Sequence, residues 1–180
     1  MKLLTVLLTF AAVTFAQEAP PNPLINVSKG IYGYTNNNVL RSFDKIPDDL
    51  WSYQPTKDVR TVGQLFAHIA DGQYEFCGVI AEGKPVQKGI EKTLKTKAEI
   101  KAALMEGIAY CNGVYDKLTD ADAGTMVSFF GMKVTKLGIM DFNIAHNMEH
   151  YGNLVTYMRL KGIVPPSSEA QPAAAASGKK

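Results

Sequence analysis

Four stretches of this chain repeat apolar residues at helical spacing between explicit start and stop signals, which restricts the fold to packed helices. The clearest runs from about Thr61 to Glu82. Val62, Leu65, Phe66, Ile69, Phe76 and Ile80 form its stripe, Thr61 is placed to cap it, and Gly83 and Pro85 end it. The next runs from about Thr96 to Leu118. Thr96 and Glu99 have capping-box spacing, and Ile100, Leu104, Cys111, Val114 and Leu118 recur along it. The last runs from about Thr135 to Lys161, closed by Gly162, with Pro165-Pro166 beyond. The first, about Leu24 to Phe43, is the least regular, because Gly30, Gly33 and the Asn36-Asn37-Asn38 run lower helix propensity; Pro47 closes it. Four such helices predict an all-α four-helix bundle. The links are long: Asp44 to Arg60 holding Trp51, Gly83 to Lys95, and Asp120 to Val134, where Met126 to Phe130 reads as a brief extended stretch. Links of that length permit crossovers in place of a strict up-down series.

The two ends of the chain read differently. Met1-Lys2 opens an apolar run from Leu3 to Val13 that ends in small residues at Ala16. This is the pattern of a secretory signal peptide over residues 1–16, cleaved near Ala16. The run is short for a membrane span, and an uncleaved anchor is the alternative. Residues 17–23 form a proline-rich linker, 24–168 the helical bundle, and 169–180 an Ala/Gly/Ser/Lys-rich tail expected to be disordered. No later segment is long and apolar enough to span a bilayer. The expected location is therefore secreted or periplasmic. In such a compartment Cys77 and Cys111 either pair or remain as small core residues, and spacing does not decide between them. Composition adds an exclusion. Net charge is +2 with lysines and acids interspersed, so there is no basic footprint for nucleic acid.

Chemistry concentrates in the histidines, of which the chain has 3. His146 and His150 are four residues apart on a strongly helical pattern. That spacing turns a helix by about 400°, so both rings leave one face a turn apart and can reach one cation. Two ligands rarely make a tight site. The third histidine, His68, lies at the margin of the second helix's apolar stripe, with Gln64 and Glu75 on its side. The fourth helix carries a matching polar strip of Asn143, His146, His150 and Asn153. An inward polar strip is costly unless satisfied, and metal ligation would satisfy it. The spacing alone is weak, since surface or core histidines produce it too. It is not a zincin motif, because Asn147 stands where that motif needs its glutamate. Asp71 and Glu75 are candidate general bases, against the alternative that both are surface residues. Asp44, Asp48, Asp49 and Asp58 lie around a loop that they would cap and solvate. Ser167-Ser168 lack a nearby base, and no glycine cluster forms a phosphate-binding loop.

Two stretches nevertheless resemble a known family. Thr61 to Asp71, TVGQLFAHIAD, resembles the second helix of DinB-like (DinB/YfiT) four-helix proteins, and His146 to Ser168, HNMEHYGNLVTYMRLKGIVPPSS, resembles their closing helix and short tail. The resemblance spans residues 24 to 168. It implies an up-down-down-up bundle and a three-histidine metal site, with the first ligand at His68 and the paired ligands at His146 and His150. It implies a divalent ion, zinc or nickel. Some members transfer low-molecular-weight thiols, a related branch isomerises maleylpyruvate using a thiol, and many have no known activity. The export signal is the departure, since characterised relatives are mostly cytoplasmic, and it argues against a cytosolic thiol cosubstrate. The leading expectation is a metal-dependent transferase or hydrolase acting on a small molecule or thiol, with Asp71 or Glu75 shuttling the proton. The alternatives are a non-catalytic metal-binding or stress-associated protein, and a structural bundle with incidental histidines. Homodimerisation through helix faces is compatible with the pattern, but composition does not show it.

Overall fold

The structure, a computed structural model, describes residues 21–169. The signal segment, most of the linker and most of the tail lie outside the described residues. Four long helices are present: α1 (Pro23–Lys45), α2 (Val62–Glu82), α4 (Lys97–Tyr115) and α6 (Lys136–Leu160). The capping reasons hold in detail. Thr61 and Gln64 close a capping box on α2, as Thr96 and Glu99 do on α4, so the first-turn N–H groups are satisfied where each helix starts. Gly83 takes the left-handed conformation that ends α2 (φ 74°). Between the long helices lie two short ones, α3 (Ile90–Thr93) and α5 (Asp120–Ala123), and a hairpin of β1 (Met126–Phe129) and β2 (Met132–Thr135) in antiparallel register. The extended stretch read at Met126 to Phe130 is the first strand of that hairpin.

Side-chain pairs fix the helix directions. Ser28 Oγ donates to Asp141 (3.0 Å), and Asn147 Nδ2 to Asn36 (3.5 Å), so α1 and α6 rise together. Gln73 Nε2 donates to Asn147 Oδ1 (3.0 Å), and Tyr157 OH to the Arg60 carbonyl (3.0 Å), so α2 descends beside α6. Gly107 of α4 packs on Ala70 and Gln73 of α2, and Cys111 bonds Cys77, so α4 descends beside α2. The bundle is therefore up-down-down-up. A Cβ at Gly107 would stand 3.0 Å from Gln73 Cβ, so this glycine is what lets α2 and α4 approach. The Cys77–Cys111 disulfide, with Cα atoms 5.3 Å apart, decides the alternative the sequence left open.

The core has two apolar parts. One holds Phe43, Phe66, Leu104 and Leu154; the other holds Tyr32, Phe76, Tyr115 and Ile139. Burial of Phe66 alone is worth about 1.5–3 kcal/mol. Between the two lies a buried polar layer. Tyr32 OH donates to Gln73 Oε1 (2.7 Å), Gln73 reaches Asn147, and Asn143 Nδ2 donates to Tyr115 OH (2.9 Å). The three histidines stand at the margin of this layer. No helix among the described residues is long and apolar enough to cross a membrane.

Candidate metal centre

His68 comes from the second turn of α2, and His146 and His150 come from successive turns of α6. Because the two helices run antiparallel in contact, their imidazoles meet. His146 Nε2 lies 3.1 Å from His68 Nε2 and 3.2 Å from His150 Nε2. The ligand atoms of all three lie within 4.8 Å of one another. Nitrogens 2.0–2.1 Å from one tetrahedral ion would be separated by about 3.3 Å, which these distances approach.

The protonation chemistry tests the fit. His68 Nδ1 lies 3.0 Å from Glu91 Oε2. Facing an ionised carboxylate, that nitrogen carries the proton, which leaves a lone pair on Nε2. His146 Nε2 faces both other rings, yet a ring nitrogen has one hydrogen or one lone pair. It cannot hydrogen-bond both neighbours at once. A cation between the rings accepts all three lone pairs, so the residues present fit a metal ion. Their charge state agrees. His146 is pushed down to about 3 by burial and then by the charges of His150 and His68. His150 is pushed down to about 4 by burial and then by His68. Burial also lowers His68, with Arg60 next, while Glu91 opposes both. All three are neutral near pH 7, the ligating form.

The rings are held in two ways. His68 is held by Glu91, whose other oxygen accepts from Arg60 Nε (2.9 Å). Glu91 lies on α3, and Asp71 positions that helix, its two carboxylate oxygens accepting from the backbone N–H groups of Ile90 (2.8 Å) and Glu91 (2.9 Å). His146 is held by packing. Its Nδ1 is buried without a partner among the described residues, as is that of His150. Phe76 lies edge-on to the His146 ring, centroids 5.1 Å apart. Gly72 lies directly beneath it, where a Cβ would stand 2.7 Å from His146 Cε1.

Two clefts open beside the centre. One, about 730 Å³, is lined by His150, Arg60, Gln64, Glu91, Asn153 and Tyr157 among others. The other, about 460 Å³, is lined by His68, Gly72, Asp71, Glu75 and Glu91 among others. Both carboxylates singled out from the sequence thus line the His68 cleft. Glu75 is half-buried, and burial, then the Asp71 charge, raises its pKa. Of the polar strip read on α6, Asn143 is fully buried in the polar layer and Asn153 is exposed at the cleft. Asp44 and Asp48 pair with Lys101 and Lys97 at the surface. Sequence reasoning missed Glu91, Arg60 and Gly72. Arg60 had a local signal, since it directly precedes the Thr61 cap; Glu91 had none.

Comparison with known proteins gives a consistent result. A family model described as the DinB superfamily matches residues 33–154. The uncharacterized protein YjoA of Bacillus subtilis (strain 168) is 30% identical over 128 residues, spanning 66% of this chain and 79% of that protein. Its crystal structure superposes with a TM-score of 0.61 at 22% identity, covering 83% of this chain and 100% of the other. A DinB-like protein from Bacillus cereus ATCC 10987 superposes with a TM-score of 0.67 at 19% identity, covering 79% and 95%. These superpositions show a shared fold.

Proposed function

The chain belongs to the DinB superfamily, and on that premise we propose that it is an exported protein that holds a divalent ion on His68, His146 and His150 and uses it as a transferase or hydrolase. The observation that carries this reading is the convergence of three Nε2 atoms at 3.1 and 3.2 Å, frustrated as hydrogen bonds and satisfied by a cation. Zinc and nickel suit an all-imidazole donor set. Bound there by three neutral ligands, such an ion lowers the pKa of water or a thiol and stabilises the nucleophilic anion.

The chain's own residues supply the rest. Glu91 holds His68 with its lone pair inward. Asp71 holds α3, and so Glu91, in place. Glu75 lines the same cleft, and burial, then the Asp71 charge, raises its pKa, the direction that favours a group which takes and returns a proton. We assign Glu75 the proton transfer and Asp71 the positioning. The buried Cys77–Cys111 disulfide supports export, since such bonds persist in oxidising compartments.

Elemental analysis of untagged protein tests the site, with one ion per chain expected and none bound by His150→Ala. Assays of thiol transfer and ester hydrolysis with zinc- and nickel-loaded protein then test the activity. Turnover that persists after chelation refutes the metal-dependent reading. Stoichiometric metal without turnover favours the non-catalytic alternative.

A further inference from the structure

Arg60 gives the larger cleft a chemical preference. It stands one residue before the Thr61 cap, and Tyr157 OH binds its carbonyl (3.0 Å), so its backbone is fixed by both α2 and α6. Its Nε donates to Glu91 Oε1 at 2.9 Å, which orients the guanidinium plane. The side chain is 40% exposed, and no group among the described residues bonds its two Nη atoms. Both Arg60 and His150 line the same cleft of about 730 Å³. A guanidinium with its Nε side engaged presents an Nη edge that matches a planar oxyanion.

Charge points the same way. Three neutral imidazoles leave the charge of a divalent ion uncompensated, and Glu91 offsets Arg60. The inner end of the cleft therefore stays positive, while Lys57, Asp58 and Glu149 lie on its walls. A neutral ligand would leave that field unmatched. A ligand with one metal-binding group and one carboxylate matches it at two points.

Resting on the metal-site reading above, we propose that the cleft takes small carboxylate-bearing molecules, with Arg60 binding the carboxylate while the reacting group faces the histidines. In this arrangement Arg60 is a specificity-determining residue.

The test uses zinc-loaded full-length mature protein and calorimetric binding of 3-mercaptopropionate against 3-mercaptopropionamide, with metal content measured alongside. The acid should bind at least about tenfold tighter than the amide, the equivalent of one charge-assisted hydrogen bond. Arg60→Gln should reduce that ratio to about twofold or less at unchanged metal content, and Arg60→Lys, a point charge without the fork, should fall between. If Arg60→Gln loses metal or folds poorly, the wild-type ratio and Arg60→Lys decide the matter. Equal binding of acid and amide by metal-loaded wild type overturns the proposal, as does a ratio that survives Arg60→Gln. Inorganic phosphate displacing the acid at lower concentration than propionate does would also overturn the carboxylate assignment. Failure to bind zinc at all refutes the metal reading instead, so the two failures are distinguishable.

Discussion

Gly72→Ala separates the stability of the bundle from the integrity of the site. Two effects compete at this position. Inside a helix, alanine is better than glycine by about 1 kcal/mol. The new Cβ, however, would stand 2.7 Å from His146 Cε1, 3.0 Å from His146 Nδ1 and 3.2 Å from Phe76 Cε2. Ordinary contact begins near 3.4 Å, so the ring must retreat by about 0.7 Å, whereas a metal–ligand distance tolerates only about 0.2 Å. The imidazole is the far end of a side chain with no hydrogen bond on its Nδ1, so it turns away more cheaply than backbone shifts. The cost then falls on metal binding rather than on folding. With metal at about a hundredfold over its Kd, the wild-type protein gains ~2.7 kcal/mol from binding. A hundredfold weakening leaves ~0.4 kcal/mol. Urea denaturation with and without zinc, disulfide intact, reads both quantities. The metal-free variant should match wild type or exceed it by up to about 1 kcal/mol, while most of the zinc increment disappears. A zinc increment that survives would refute the placement of His146 as a ligand over Gly72. A metal-free variant destabilised by about 3 kcal/mol or more would show that the backbone, not the ring, absorbs the clash.

Glu91→Gln removes the carboxylate that fixes the His68 tautomer, and zinc affinity in a chelator competition should fall about 10–100-fold with helicity unchanged. The double variant Cys77→Ala/Cys111→Ala opens a loop of sequence separation 34; loop-closure entropy predicts a loss of about 3.8 kcal/mol in denaturant unfolding. Acid should destabilise the metal-free protein in a defined window. In the unfolded chain histidine titrates near ~6.5, whereas burial holds folded His150 down to about 4 and His146 to about 3. The unfolded state therefore binds more protons below about pH 6.5, so stability falls as pH drops from there toward 4. Replacing His146 and His150 with Gln should flatten that slope; an equal slope in the variant would locate the titrating groups elsewhere.

The helices were legible because their signals are local. Thr61, Thr96 and Gly83 act within a turn of themselves, so a linear reading finds them. The pair on α6 was legible for the same reason, since four residues on one helix set the His146–His150 distance. What lay beyond reach depends on register between elements. Whether Cys77 meets Cys111 depends on α2 and α4 descending side by side, which the glycine at position 107 permits. Gly72 appears in sequence only as a weak helix residue; its use is visible once α6 places His146 over it. Gln73 is fully buried and joins Tyr32 to Asn147, yet a polar residue amid an apolar stripe gives no local sign of its partner.

Glu91 is the sharpest case, and the topology explains it. A helix of four residues has no period to read. The link from Gly83 to Thr96, however, is constrained from both ends. Since α4 runs parallel to α2, a chain leaving the C-terminus of α2 must return along its length before α4 can begin. In an up-down-up-down bundle a short turn would join these helices at the far end, and nothing would pass His68. Here the returning link crosses that histidine, and Asp71, one turn below it, anchors α3 as it passes. The crossover thus delivers the carboxylate that orients His68 and the ion-pair partner that orients Arg60. The helix order that lengthens the connection therefore also completes the site.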